Sequence, residues 1–205
     1  MNKLFFGSLF LLITFFTNAQ VKVGIKAGLD FSGESLMGNG IKVTTSSVTG
    51  FNAGVIMNIG LGTVFIQPGL LFSQKGGSTY GGQESVQETL NYLEIPVNLV
   101  HWISNGYVMG FINTGPRLSI GISGQDVKSG STISSQTQNV KFGSSTGDYN
   151  TLDFGWGIGG GIQVGNVFTC FNYTFGVTNL LAGTTDGIAV ANHSASIAIG
   201  FMFGK

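Results

Sequence analysis

Hydrophobic residues recur at every second position along most of this chain, and this period most limits its possible folds. Successive side chains of a β-strand point to opposite faces, whereas a helix repeats its apolar positions about every 3.6 residues. The last such segment shows the pattern clearly, with Ala195, Ile197, Ile199, Phe201 and Phe203 on one parity. The positions between them are mostly small or polar. The sequence therefore predicts an all-β protein whose strands have one apolar face and one small or polar face.

Eight segments carry this alternation, and each is longer than the usual strand of about 5–6 residues. They are Val21–Ser32, Val48–Gly60, Val64–Lys75, Thr89–Ile103, Gly106–Ser123, Thr151–Gly165, Val167–Asn179 and His193–Phe203. A tilted strand that crosses a bilayer needs about 9–11 residues. The segments are joined alternately by short turns and by long loops rich in Gly, Ser and Thr. The long loops are Gly33–Ser47, Gly76–Glu88, Gly124–Asn150 and Leu180–Asn192. This layout predicts an eight-stranded antiparallel up-and-down transmembrane β-barrel with short periplasmic turns and long extracellular loops.

All three prolines of the chain fall inside the predicted strands, and two of them bear on strand pairing. Pro68 and Pro116 have no backbone N–H to donate to a neighbouring strand, and a closed barrel has no free edge to receive them. We therefore expect a β-bulge at each of these positions.

Charged residues are few, and their parity supports an apolar surface that faces lipid. Asp, Glu, Lys and Arg make up 9% of the 205 residues, against about 25% in an ordinary soluble domain. Seven charges in the predicted strands all take the parity opposite the apolar face: Lys22, Lys26, Asp30, Lys75, Glu94, Arg117 and Asp153. A Lys or Arg that faces lipid at the bilayer midplane costs about 2–4 kcal/mol, so these charges are expected inside the barrel. Nine basic residues against nine acidic ones give no basic surface for nucleic acid.

Four of the inward charges are predicted to form a network in the barrel interior. They are Glu94, Arg117 and Asp153 in the outer half and Lys26 at mid-height. A hairpin centred on Ser104-Asn105 places Glu94 opposite Gly115 and one diagonal step from Arg117, within reach of long side chains. Lys75 is set aside because it ends a predicted strand. Buried charges must be paired, so we expect the network to fill the lumen. A gate or narrow conductive path is the alternative.

Residues 1–19 carry the features of an export signal. Lys3 precedes an apolar run from Leu4 to Phe16, and Thr17-Asn18-Ala19 places a small residue before a cleavage point. We predict a signal peptide over residues 1–19 and an outer-membrane β-barrel domain over residues 20–205. No later stretch reaches the roughly 18 apolar residues of a spanning helix, so a helical anchor is not expected.

Groups that could carry catalysis are sparse. His193, Ser194 and Asp186 are the one His/Ser/Asp set placed near the rim of the long loops. Acyl transfer would need the serine and the histidine within hydrogen-bond reach, and nothing in the spacing enforces this. We therefore expect a non-enzymatic protein without catalytic residues, with a surface lipid-modifying enzyme as an alternative.

Other motifs point away from cofactor chemistry. Gly155, Gly157 and Gly160 satisfy G-x-G-x-x-G, but a strand follows them where a dinucleotide site needs a helix. Cys170 is the single cysteine, and with two distant histidines it makes no metal site. We expect neither a metal nor a cofactor. A soluble lipocalin-like barrel, with the apolar parity turned inward, remains open, although its surface would carry few charges.

Several stretches resemble a known family. They are NYLEIPVNLV (91–100), FINTGPRLSIG (111–121), Asp-Phe-Gly at 153–155 with the glycines at 159–161, FGVTNL (175–180) and the final SIAIGFMF. Together they resemble the PorT-like outer-membrane β-barrel family, and the resemblance covers nearly the whole predicted mature chain. It implies an eight-stranded barrel of OmpA/OmpX-like architecture in the outer membrane of a Gram-negative cell.

The expected role follows from this architecture and from the loops. We expect an integral outer-membrane protein, a monomer, that contacts outer-membrane lipid and has a structural or interaction role through its extracellular loops. The loops are expected to bind a protein partner at the cell surface. A link to protein-secretion machinery is implied by the resemblance alone. A narrow porin-like channel is the alternative within the same architecture.

Overall fold

The computed structural model describes residues 21–204 except 39–40, 82–83, 104–105, 131–134, 144, 146–147 and 183–188. The predicted signal peptide (1–19), the Ser104-Asn105 turn and Asp186 lie outside the described residues. Within the described part, no helix has the length and apolar character needed to cross a membrane.

Every regular element in the described ranges is a β-strand, as the period of two predicts. The strands are β1 (Val21–Gly38), β2 (Ile41–Thr44), β3 (Ser46–Leu61), β4 (Val64–Lys75), β5 (Gly77–Gly81), β6 (Glu84–Trp102), β7 (Val108–Gly130), β8 (Gln136–Val140), β9 (Phe142–Gly143), β10 (Tyr149–Asn150), β11 (Leu152–Val164), β12 (Val167–Gly176) and β13 (Ala189–Phe203).

Eight of these strands close into a barrel because β1 pairs with both β13 and β3. The order around the barrel is β1, β3, β4, β6, β7, β11, β12 and β13, and each strand is antiparallel to the next. Starting at Val21 and moving from each residue to its partner on the next strand, the path around the barrel returns to β1 at Phe31, ten residues further along. Closure leaves no unpaired edge in the hydrocarbon, where an unsatisfied backbone group costs several kcal/mol. The predicted eight-stranded antiparallel barrel is confirmed.

Two tight hairpins form the short-turn rim. Each has a two-residue loop that starts with glycine: Gly62 between β3 and β4, and Gly165 between β11 and β12. Their φ values are 81° and 58°, a backbone region that glycine reaches without steric cost and that two-residue hairpins require. The local sequence therefore sets the register on both sides of these turns.

The strands run further on the opposite rim than the sequence predicts. β6 begins at Glu84 rather than Thr89, β7 continues to Gly130 rather than Ser123, and β13 begins at Ala189 rather than His193. The predicted loops also contain β2, β5, β8, β9 and β10. These extensions lie beyond the apolar band, where lipid no longer requires an apolar outer face, so their sequence has no regular alternation of apolar and polar residues to reveal a strand.

The two expected proline bulges are wrong. Pro68 faces Val97 and Pro116 faces Trp156 without any shift in register. Near these prolines the ladder skips a few paired positions and then resumes in the same register. The one register shift between β6 and β7 falls instead next to Tyr92, above the apolar part of the wall.

The two faces of the wall have opposite chemistry. The outward parity of β1 and β13 carries half-exposed apolar side chains such as Val21, Ile25, Leu29, Ile197 and Ile199. The inward parity is closed to solvent and largely polar. Five of the seven strand charges are at most 5% exposed: Asp30, Lys75, Glu94, Arg117 and Asp153. The apolar face therefore surrounds the barrel, which makes the soluble lipocalin-like alternative wrong.

A ladder of amide and hydroxyl groups marks where the apolar band ends on the outer surface. Gln74 Nε2 donates to Asn91 Oδ1 at 3.1 Å, and Asn91 Nδ2 donates to Ser123 Oγ at 3.0 Å. Leu93 is the last apolar outward residue of β6 before this ladder. Such a change from aliphatic to amide side chains is expected where hydrocarbon gives way to headgroups and water.

Candidate functional site

Glu94 is the centre of a buried charge layer near the outer end of the apolar band. Its Oε2 accepts a hydrogen bond from Lys75 Nζ at 2.6 Å, and its Oε1 accepts one from Arg117 Nη1 at 2.6 Å. Lys75 Nζ also lies 3.5 Å from Ser119 Oγ and 5.6 Å from the centroid of the Tyr92 ring. The carboxylate thus has one cation on each oxygen, which is what a buried charge needs to offset its loss of hydration.

The structure brings two of the four predicted network residues into contact. Glu94 lies one diagonal step from Arg117, but it faces Ser119 and not Gly115, because Trp102 pairs with Phe111 and the turn is longer than two residues. Lys75, which the sequence reading set aside, is the second partner of Glu94.

The other two predicted network residues lie apart from this ion triad. Lys26 is half-buried and makes no ion pair with any residue that the structure describes. The carboxylate of Asp153 accepts hydrogen bonds from Thr178 Oγ1 at 2.8 Å and Asn192 Nδ2 at 3.1 Å. Both donors are neutral, so their identity as partners could not be read from a pattern of charges.

A second carboxylate is held in the same neutral way. Asp30 accepts hydrogen bonds from Asn52 Nδ2 and Ser73 Oγ, both at 2.9 Å. A cavity of about 10 Å³ lies beside the layer and is bounded by Lys75, Arg117 and Asp153, which is room for about one water molecule. Among the described residues, side chains therefore fill the interior at this height around this small cavity.

An apolar plug fills the interior towards the short-turn rim. Its buried members are Ile56, Leu71, Val100, Phe111, Phe168, Cys170, Ala198 and Met202. Trp102 packs between Phe65 and Phe111, with ring centroids 6.2 Å and 5.1 Å apart. The sequence reading assigned small or polar residues to the inner face, so this plug is a correction to it. The signal was present: Trp102, Phe111 and Phe168 take the inward parity near the short turns.

Glycines leave the space that these interior side chains occupy. A Cβ on Gly200 would lie 2.2 Å from the Phe168 ring, and a Cβ on Gly157 would lie 2.6 Å from Arg117 Nε. Both distances are shorter than van der Waals contact allows. The G-x-G-x-x-G stretch thus serves close packing of the interior, as the strand that follows it predicts.

An aromatic cap closes the interior at the long-loop rim. We define the cap as the described residues of two segments: 141–143, 145 and 148–150 in the first, and 177–182 in the second. Phe142 packs against Tyr92 and Tyr149, with centroids 5.9 Å and 6.3 Å apart. Backbone hydrogen bonds join the two cap segments, Asn150 N to Leu180 O at 2.7 Å and Ala182 N to Asp148 O at 2.9 Å. The sequence predicts long loops over residues 141–150 and 180–182 and the end of a strand over residues 177–179, and it does not predict this closure.

Three carboxyl groups meet beneath the cap, above the apolar band. Glu34 on β1, Glu88 on β6 and Asp126 on β7 have raised pKa values because burial disfavours their charged forms. The pKa of Glu88 rises to about 9, with Glu34 and Asp126 adding to the effect of burial. Tyr149 of the cap donates its hydroxyl hydrogen bond to Glu88 Oε2. Among the residues that the structure describes, no group of three or more His, Cys, Asp or Glu is arranged to hold a metal ion.

The long-loop rim also carries a sheet that rises beyond the apolar band. β5 pairs with β6, β6 with β7, and β7 with β8. We call these four strands the extracellular sheet. The outermost strand, β8, is exposed along Gln136–Asn139 and pairs with β7 alone among the described strands. Its sequence contains no charged residue and no proline, the two features that commonly protect an edge strand.

The proposed acyl-transfer set is not assembled in the described residues. Ser194 points into the barrel and is 6% exposed, whereas His193 takes the opposite face of the same strand. The serine near His193 is instead Ser35, whose Oγ lies 3.5 Å from His193 Nδ1 and which is only 8% exposed. Cys170 is buried in the plug as a free thiol.

A closed eight-stranded antiparallel barrel, apolar outside and polar or packed inside, defines an integral outer-membrane β-barrel protein. The chain belongs to the outer membrane protein beta-barrel domain family, whose model matches residues 17–182. Among curated protein sequences none matches the chain.

Solved structures with which the chain shares its fold have low sequence identity to it. Ail, the attachment invasion locus protein of Yersinia pestis, is 15% identical with a TM-score of 0.48, over 89% of this chain and 98% of that one. Neisserial surface protein A is 13% identical with a TM-score of 0.45, over 88% and 97%. The outer membrane enzyme PagL is 12% identical with a TM-score of 0.44, over 84% and 98%.

Proposed function

We propose that this protein is a non-conducting, non-enzymatic outer-membrane barrel that binds a protein partner at the cell surface through its extracellular sheet. One observation carries the proposal. β6 extends from Asn91 to Glu84 beyond the apolar band, about 25 Å along the strand at the usual rise per residue. It is flanked by β5 and β7, and β8 pairs with the far edge of β7. An ordered sheet of this height is more than the connection between two spanning strands requires.

The edge of β8 is the part of this sheet that fits a partner. Its exposed N–H and C=O groups can pair with an extended segment of another chain, and the uncharged side chains of Gln136, Thr137, Gln138 and Asn139 offer no repulsion. A partner that adds a strand gains main-chain hydrogen bonds without any change in the barrel.

Photocrosslinking on living cells tests this surface. A photoreactive residue at Gln138, on β8, is expected to give one discrete protein adduct. The same residue at Tyr107, which is 82% exposed on the opposite rim, serves as the matched control and is not expected to give that adduct. No adduct at Gln138, together with unchanged secretion and surface binding after deletion of residues 130–140, would count against the proposal.

The non-conducting part of the proposal is supported by the order of the layers inside the barrel. The apolar plug and the ion triad around Glu94 lie in series. An ion would have to cross both. The cavity within the plug is only about 10 Å³, which is room for about one water molecule.

In planar bilayers we expect no steady single-channel current from the wild-type protein. The double variant Trp102→Ala/Phe168→Ala removes two aromatic plug side chains and is expected to conduct in brief openings. Phe171→Ala, which removes an equally large side chain from the lipid face, is the control and is expected to stay silent. A steady wild-type current would favour the porin-like channel.

The remaining parts of the proposal rest on the sequence and on the interior geometry. Residues 1–19 are the signal peptide, the mature chain is a monomer, and the family relationship extends to PorT-like proteins with their link to secretion. Lys26, Glu94, Arg117 and Asp153, with Lys75 added, serve as structural filling of the lumen. The separation of His193 and Ser194 onto opposite faces supports a non-enzymatic role.

A further inference from the structure

The contact between the cap and the barrel wall depends on a buried carboxyl group. Glu88 on β6 accepts the hydrogen bond of Tyr149, the cap residue that also packs against Phe142. Backbone bonds connect Tyr149 to Lys141 and the adjoining Asn150 to Leu180. The Tyr149–Glu88 contact therefore joins the Phe142–Tyr149 part of the cap to the wall, whereas the 177–182 segment has its own bonds to the wall, such as Val177 N to Phe154 O and Leu180 N to Val190 O.

Glu88 has acidic neighbours on every strand that faces it. Glu34 of β1 and Asp126 of β7 lie within hydrogen-bond reach of its carboxyl group, and Tyr149 faces it from the cap. The cation that acts on this cluster is Lys128 of β7, whose charge favours the ionised form of Asp126 and opposes the rise in its pKa. Lys75 and Arg117 are engaged by Glu94 in the layer below.

Each carboxyl group of this cluster has a buried oxygen without a hydrogen-bond partner among the described residues, an arrangement that favours the protonated form. Glu34 is 6% exposed, and its Oε1 has no hydrogen-bond partner among the described residues. Glu88 Oε1 and Asp126 Oδ1 are likewise buried and without a partner there. A buried carboxylate with a bare oxygen and like charges beside it is strongly disfavoured, whereas a protonated carboxyl can share its hydrogen with the neighbouring carboxylate.

We propose that Glu34, Glu88 and Asp126 form a proton-operated latch: protonation holds the aromatic cap closed over the barrel, and loss of the protons releases it. The Tyr149 hydroxyl favours the charged form of Glu88, but burial and the two neighbouring carboxyl groups outweigh it. The closed cap thus binds protons more tightly than the open one. By linkage, lowering the pH must favour the closed cap and raising the pH must favour the open one.

The pH window follows from the direction of these shifts. An exposed glutamate ionises near its ordinary value of 4.5, and burial under the cap raises the pKa of Glu88 to about 9. Closure is therefore strongest in acid and weakens as the pH rises between these two values. The plug at the other end contains no titratable group that faces the cluster, so release of the cap leaves the barrel sealed towards the periplasm.

Distances between two spin labels in the full protein, reconstituted in lipid vesicles, test the latch. One label is placed at Ser145 in the cap and the other at Gln125 on the outer face of β7, with Cys170→Ser to remove the native thiol. The distance distribution is expected to be narrow at pH 5 and broad at pH 9.5, and to return on re-acidification. An unchanged distribution, or one that broadens in acid, would overturn the proposal.

Two variants assign the effect to Glu88. Glu88→Gln keeps the size and a hydrogen-bond acceptor but cannot ionise, so its distribution is expected to stay narrow at both pH values. Glu84→Gln changes an exposed glutamate of the same strand and is expected to keep the wild-type pH dependence. A Glu88→Gln protein that still broadens at pH 9.5 as the wild type does would rule out this carboxyl group as the latch. The β8 crosslinking experiment is independent of this outcome.

Discussion

Replacement of Glu94 by alanine is expected to lower the free energy of unfolding by about 3–5 kcal/mol, because it leaves two buried cations without a counter-charge. Lys75 and Arg117 are 4% and 5% exposed, and each donates at 2.6 Å to a different oxygen of Glu94. The repulsion between these two cations adds to the free-energy cost of their lost hydration. The urea midpoint of unfolding in lipid vesicles, followed by the change in gel mobility on boiling, measures the loss.

A control for this prediction separates charge from packing. Replacing all three members, Lys75→Met, Glu94→Leu and Arg117→Met, removes the charges together and keeps most of the volume. Such replacements of buried ion groups are often neutral or stabilising. We therefore expect the triple variant to unfold at a higher urea concentration than Glu94→Ala. Equal loss in the two variants would show that shape, and not charge compensation, governs this layer.

Arginine at Ile199 is expected to destabilise the barrel by about 2–4 kcal/mol, the cost of a cation that faces lipid near the midplane. Ile199 is 61% exposed on the outward parity of β13, in the middle of its apolar residues from Ala195 to Phe203. The same unfolding measurement reports the effect.

Ala189→Arg is the matched control for depth, since Ala189 has the same parity on the same strand but lies beyond the apolar band. Near the interface the cost of arginine falls to about 0–1 kcal/mol. Equal effects at the two positions would contradict the placement of the band, and a stable Ile199→Arg protein would mean that this face does not meet hydrocarbon.

The sequence predicts the wall of the barrel well because two physical demands act on it at once. Hydrocarbon outside and a packed polar interior force opposite choices on neighbouring residues, and the resulting alternation at Ile197–Phe203 can be read directly. The inward placement of the five most buried strand charges follows from the same demand.

Other features escaped sequence reading for equally physical reasons. The extracellular sheet lies beyond the hydrocarbon, so no lipid face imposes an apolar alternation on β5 and β8. Lys75 looked like the end of the inward-facing wall because β4 ends there, but the chain continues after Gly76 as β5. The partners of Asp153 are the neutral side chains of Thr178 and Asn192, which no charge pattern marks. The aromatic plug, by contrast, was visible as Trp102, Phe111 and Phe168 on the inward parity.

The order of the layers makes the barrel interior one-sided. On the periplasmic side of Glu94 lie Phe111, Phe168 and Met202, packed with the amides of Asn58, Gln67 and Gln163 around a cavity of about 10 Å³. On the other side lie the carboxyl cluster and the cap. The carboxyl cluster is therefore nearer the external medium than the ion triad is, and a change of pH outside the cell reaches the cluster first.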